Sequence, residues 1–248
     1  MGAEQNINNR TMNRAMEYAL DQRFFVRFSI ILAAVIIFGF AQFSMRGMVN
    51  FQAVPRWVHL HGILMLGWLG LIVAQNILIQ RGKTALHRKI GWLGGGLALI
   101  ICVTGLYTGY MAVQLQRFPP FFNGSYFLAL VLVEMLVFAA MVVWAIMLRR
   151  QTQWHRRIMI GATLIALEPA FGRLLPMPLL GDWGEWLILL CQLVFVVVLA
   201  RHDQKIIGHI HPATLATGAI VTAAHVVTTG LSLFPPFQRI AESIGGAG

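Results

Sequence analysis

Charge is scarce in this chain. Only 11% of its 248 residues are Asp, Glu, Lys or Arg, where soluble domains carry about 25%. Nine residues are acidic. Cysteine is scarcer still. Cys102 and Cys191 both sit inside apolar runs, which excludes a disulfide framework and makes them packing residues. Catalytic signatures are missing as well. The histidine spacings do not match the three histidine boxes of membrane desaturases and hydroxylases, and there is no aspartate-rich prenyltransferase motif. There is no Walker phosphate loop and no serine–histidine hydrolase pattern. Whether the chain is an enzyme stays open at this level.

Apolar sequence fills the space instead. Hydrophobic residues make up 58% of the chain, and the mean hydropathy is +0.70. Seven apolar runs are predicted to span a bilayer: 24–44, 57–80, 90–116, 126–148, 158–175, 183–200 and 213–234. Each is near the length that crosses a hydrocarbon core about 30 Å thick. Glu168, Pro169 and Arg173 interrupt the fifth. The expected fold is an all-α polytopic transmembrane bundle. Residues 1–23 form a polar N-terminal segment, 24–235 the membrane domain and 236–248 a short tail. The first run is too long for a signal-peptide core and no cleavage site stands out, so it reads as an uncleaved span.

The formal charge of +10 sits in short loops between the runs. It reads as an orienting and headgroup-binding charge on a lipid bilayer and not as a nucleic-acid footprint. Fourteen Lys and Arg fall on one side of the seven spans and five on the other. The positive-inside rule then places the N-terminus in the cytoplasm and the C-terminus outside, in a bacterial inner membrane. Trp57, Tyr126, Trp183 and Trp186 lie at outer span ends, as an interfacial aromatic belt does. Gly105 and Gly109, four apart, suit close helix packing, as do Gly91 and Gly95.

Three cytoplasmic loops end alike. Leu86-His87-Arg88-Lys89-Ile90, Trp154-His155-Arg156-Arg157-Ile158 and Gly208-His209-Ile210-His211-Pro212 each put histidine before a returning helix. These His-Arg-basic turns resemble those of an uncharacterised bacterial family of polytopic inner-membrane proteins. So does His155 to Ile160 followed by Arg173 and a proline-rich turn. The likeness covers roughly the second to fifth spans and implies the topology more than an activity. In layout alone, histidines at two depths resemble the bis-haem helical membrane cytochromes.

The ionisable residues carry the functional argument. A charge at the bilayer centre costs about 2.5–3.5 kcal/mol on the insertion scale, so such a residue needs a partner or a role. Glu134, Glu168 and His225 lie within spans, and Arg173 follows Glu168 as its nearest partner. His59 and His61 stand at the outer end of the second span. Two residues apart on a helix, they point about 200° from each other, so at most one faces inward. Three readings follow. In the first, His59 or His61 pairs with His225, and His87, His155 and His209 or His211 form an inner set; these hold haem b and pass electrons. In the second, Glu134, Glu168, Arg173 and His225 relay protons or a metal ion through a transporter. In the third, the protein is a non-catalytic scaffold with membrane-protein partners or a second copy of itself, and its histidines are interfacial.

Overall fold

The computed structural model describes residues 2–246, with side chains from residue 16 onward except that of Asp182. The helices are α1 (Gly2–Met45), α2 (Arg56–Gln80), α3 (Thr84–Gln114), α4 (Gly124–Met147), α5 (Thr152–Ile165), α6 (Leu167–Leu174), α7 (Met177–Leu180), α8 (Gly184–Ile207), α9 (Pro212–Leu233) and α10 (Pro235–Gly245). A 3₁₀ turn, Gly181–Trp183, precedes α8. Among the described residues there is no strand, so the all-α bundle expected from the sequence is the one that forms.

Among the described residues six helices are long and apolar enough to cross a membrane: α1 from Met16 to Met45, α2, α3, α4, α8 and α9. Their outward faces expose Ile30, Ile63, Leu93, Leu99, Val143, Leu190 and Val226. A helix in water turns such side chains inward; these faces suit lipid. Local signals set the helix ends. Asn123 caps α4 by accepting the Tyr126 N–H at 2.7 Å, and the His211 ring caps α9 by accepting the Ala213 N–H at 3.0 Å. Gly208, at φ 78°, stops α8 in the left-handed conformation that glycine tolerates. Gly105 and Gly109 do let α3 and α4 approach closely. A Cβ on either would come within 2.5 Å of Met135 or Val131.

The interrupted fifth run is built differently from the other six. It forms two helices, α5 and α6, joined through Ala166. Pro169 has no N–H to offer the carbonyl one turn earlier, so the regular ladder breaks there. The Ala166 N–H turns to Thr163 O at 3.2 Å, and Gln192 of α8 donates to Leu164 O at 3.2 Å. The pair still runs a long way beside α1. Arg156 lies over the Phe25 ring, and a Cβ on Gly39 would meet Ala170 O at 2.9 Å. Fourteen residues separate the two contacts on each helix, about 21 Å at 1.5 Å per residue. α5 packs on α4 and α9, and α6 on α1 and α8. Every residue from 160 to 165 is buried. This segment is the axis of the bundle, walled by protein.

An ion network holds the foot of that axis. Arg157 and Asp203 are wholly buried, with Nη2 and Nε of Arg157 at 2.5 and 3.0 Å from Asp203 Oδ1. The second Asp203 oxygen accepts from Thr214 Oγ1 at 2.5 Å and from the His211 N–H at 3.1 Å. Beside it, Asp21 of α1 accepts from Arg156 and from His202 Nε2, the latter at 2.9 Å. The network therefore ties α1, α5, α8 and α9 together. One expectation changes here. Arg157 is a core group, and the largely covered Arg156 is engaged by Asp21 and the Phe25 ring, so this basic turn is spent on protein contacts. The polar N-terminal segment belongs to α1, with Asp21 and Gln22 buried. The tail likewise is the helix α10 and packs against α3, α4 and α9.

Removing one partner of such a pair strands the other in a dry site. Arg157→Met is expected to lower unfolding stability in detergent by about 3–5 kcal/mol. Arg157→Met combined with Asp203→Leu is expected to recover part of that loss. Denaturation midpoints of the three proteins test this; a single variant as stable as the parent would contradict it.

Candidate functional site

The top of the axis holds a second polar centre. Glu168 enters it from α6, Glu134 from α4 and His225 from α9, and all three are buried. His225 Nδ1 lies 3.9 Å from Glu168 Oε1, too far for a hydrogen bond and close enough for a charge contact. Glu185, in the first turn of α8, completes the acidic side, and its Oε2 accepts from Tyr126 OH at 2.5 Å. The three carboxyl groups lie within electrostatic reach of one another. Trp186 covers the His225 ring, with centroids 5.6 Å apart.

Partners are missing where buried polar groups ordinarily have them. Glu134 Oε1, Glu168 Oε1, Glu185 Oε1 and both ring nitrogens of His225 are buried and make no hydrogen bond to the protein. Most buried side-chain polar atoms have at least one partner, and each exception calls for a reason. Five such atoms on four side chains around one helix form a site with capacity for a proton, a water or a cation.

The structure sorts the residues singled out from sequence. Glu134, Glu168 and His225 come together. Arg173 does not pair with Glu168. Its Nη1 donates to Pro169 O at 2.7 Å and its guanidinium stacks over Phe40 at 4.2 Å, while its charge remains within reach of Glu134. His59 is exposed beside Phe51 O, and His61 turns inward, its Nδ1 3.0 Å from Thr104 Oγ1 of α3. His61 thus sits at the α2–α3 interface, and His225 sits beside Glu168 of α6 and Trp186 of α8. On the basic face His87 and His155 do meet, with ring centroids 6.4 Å apart and planes at 86°. His211 packs on Trp154 instead, and His209 is exposed. Among the described residues no three His, Cys, Asp or Glu side chains stand close enough to share one metal ion.

Two members of the upper centre escaped the sequence reading. Tyr126 has the position of a belt aromatic, and Glu185 follows the outer turn, where acids are ordinary. Their spacing on different helices carries no local signal that they meet. Trp183 and Trp186, by contrast, are exposed as belt residues should be. Comparison with protein-family models, curated proteins and solved structures finds no match to the chain.

Tyr126→Phe tests the hydrogen bond that ties α4 to α8 at this centre. Glu185 then loses its donor, and a loss of about 1–3 kcal/mol of stability is expected. A thermal midpoint in detergent equal to the parent's would show that the bond contributes nothing.

Proposed function

We propose that this is a multi-pass protein of the bacterial inner membrane that moves protons, or a solute coupled to them, past a carboxylate–imidazole centre in the outer half of the bundle. In this reading α5 and α6 together make the seventh crossing, with the N-terminus in the cytoplasm and the C-terminus outside. Lys and Arg asymmetry supports the orientation. The six apolar helices support the membrane itself.

One observation carries the reading. Glu134, Glu168, Glu185 and His225 converge on a proline-broken helix with polar atoms left unpartnered. A centre kept only for stability would have its oxygens and nitrogens satisfied, because each unsatisfied buried group costs about 1–3 kcal/mol. A centre that loads and releases a proton needs groups free to take it. Interrupted helices recur at transport sites because their freed backbone lines a cavity. Carboxyl and imidazole are the side chains that relay protons through membranes. Tyr126, at the outer end of α4, joins the relay through Glu185.

Flux and stability separate the functional role from a structural one. Protein reconstituted in vesicles with an internal pH-sensitive dye is expected to conduct protons under an imposed gradient. Glu134→Gln and His225→Ala are each expected to cut that flux at least tenfold. Glu134→Gln removes a buried acid with an unpartnered oxygen, so its denaturation midpoint is expected to equal or exceed the parent's. Undiminished flux in both variants would overturn the proposal.

A further inference from the structure

We propose that the end of the bundle opposite the basic turns carries a cleft that binds a small organic ammonium ion. This inference is independent of the carboxylate centre. The cleft has a volume of about 470 Å³, within the range of small-molecule sites. It lies where α10 meets the end of α3 and the start of α4. Buried Phe237 and Ala241 seat α10 there.

Gln238, Glu242 and Gly245 share one face of α10 by their helical spacing and form one wall. Gln116, just past α3, forms another, and Asn123 and Ser125 at the start of α4 complete the lining. A Cβ on Gly245 would collide with Gln116 Nε2, so the glycine lets α10 close down on this wall. Gln116 has φ 52° and is the only non-glycine residue with positive φ among those described. Strained backbone of this kind clusters at ligand clamps.

Hydrogen bonds already made decide what the cleft has left to offer. Gln116 Nε2 donates to Val113 O at 3.2 Å, and Gln238 Nε2 donates to Ser232 O at 3.1 Å. A carbonyl only accepts, so both amides are oriented and each Oε1 is left for a donor. Ser125 spends its one proton on Ser232 O at 2.9 Å and keeps its oxygen lone pairs. Glu242 adds a carboxylate. Asn123 Oδ1 is held by the Tyr126 N–H, which leaves its Nδ2 as a donor beside the spare amide hydrogens of the glutamines. Acceptors therefore outnumber donors, and no Lys, Arg or His lines the cleft. An ammonium group carries three donors, no acceptor and the charge opposite to that of Glu242. An anion would face Glu242 with no cation in the lining to offset it, and a neutral polyol would leave that charge unmatched. A hydroxyl or carbonyl elsewhere on the amine suits Asn123 Nδ2.

Calorimetric titration of the full-length protein in mild detergent at neutral pH tests this. The probes are linear aminobutanol, butanediol and hydroxybutyrate, each with its two groups at opposite ends, which differ in carrying a cation, no charge or an anion. Aminobutanol is expected to bind one site per chain at least tenfold more tightly than either of the others. Glu242→Gln, at an exposed position, is expected to lower that affinity at least tenfold and to leave the thermal midpoint of the unliganded protein unchanged. Gly245→Leu, which places a side chain against Gln116, is expected to abolish binding. Glu17→Gln, an exposed acid on α1, is expected to change nothing. A wild-type protein that binds none of the probes, or all three alike, would overturn the proposal. So would aminobutanol binding that survives both Glu242→Gln and Gly245→Leu.

Discussion

A helix bearing arginine and glutamate crosses hydrocarbon only when other helices wall it from the lipid. That constraint organises this bundle. α5 and α6 carry Arg156, Arg157, Glu168 and Arg173, and none of these charges has an inexpensive place on a lipid-facing surface. The surrounding helices turn apolar faces outward, as lipid would require, and polar partners to the axis. Asp21 and Asp203 reach Arg156 and Arg157 at the foot. Phe40 and the Pro169 carbonyl hold Arg173 at the top. The Arg157–Asp203 pair is the strictest of these contacts, because both side chains are wholly buried and Asp203 is also saturated by α9.

The two ends of the axis differ in a way that bears on function. At the foot the acids are satisfied, with Asp203 accepting from Arg157, Thr214 and the His211 N–H. At the top, three carboxyl oxygens and both imidazole nitrogens are buried without a hydrogen bond, where the network at the foot leaves Arg156 Nε alone in that state among the described residues. A satisfied network fixes geometry, and an unsatisfied one holds capacity for a partner that comes and goes. The helix break at Ala166 lies between the two, two residues before Glu168.

Much of this was legible in the sequence, for identifiable reasons. Six long helices among the described residues carry apolar outward faces, which suit lipid, so hydropathy announces them. Glu134, Glu168 and His225 stood out because an ionisable group inside an apolar run is costly. Asp21 and Asp203 did not, because an acid at the end of a run, near basic loops, has the look of a solvated residue. Arg156 and Arg157 were read as headgroup contacts for the same reason, and the structure corrects that. The breaks in the fifth run read as an irregularity. Hydropathy cannot register that a helix is surrounded by protein and has no need of an apolar face. Which way a helix turns about its own axis is also hidden from local sequence. That angle brings His87 to His155.

α5 and α6 pass through the bundle from the basic face to the opposite one. Side-specific labelling tests it most directly. In a variant lacking Cys102 and Cys191, a single cysteine is placed at Thr152, exposed before the axis, or at Leu179, exposed beyond it. A membrane-impermeant maleimide added to oriented membranes is expected to label position 179 only from outside and position 152 only from the cytoplasm. Both positions labelled from one side would mean that the charged segment turns back within the membrane, and the account of a walled axis would fail.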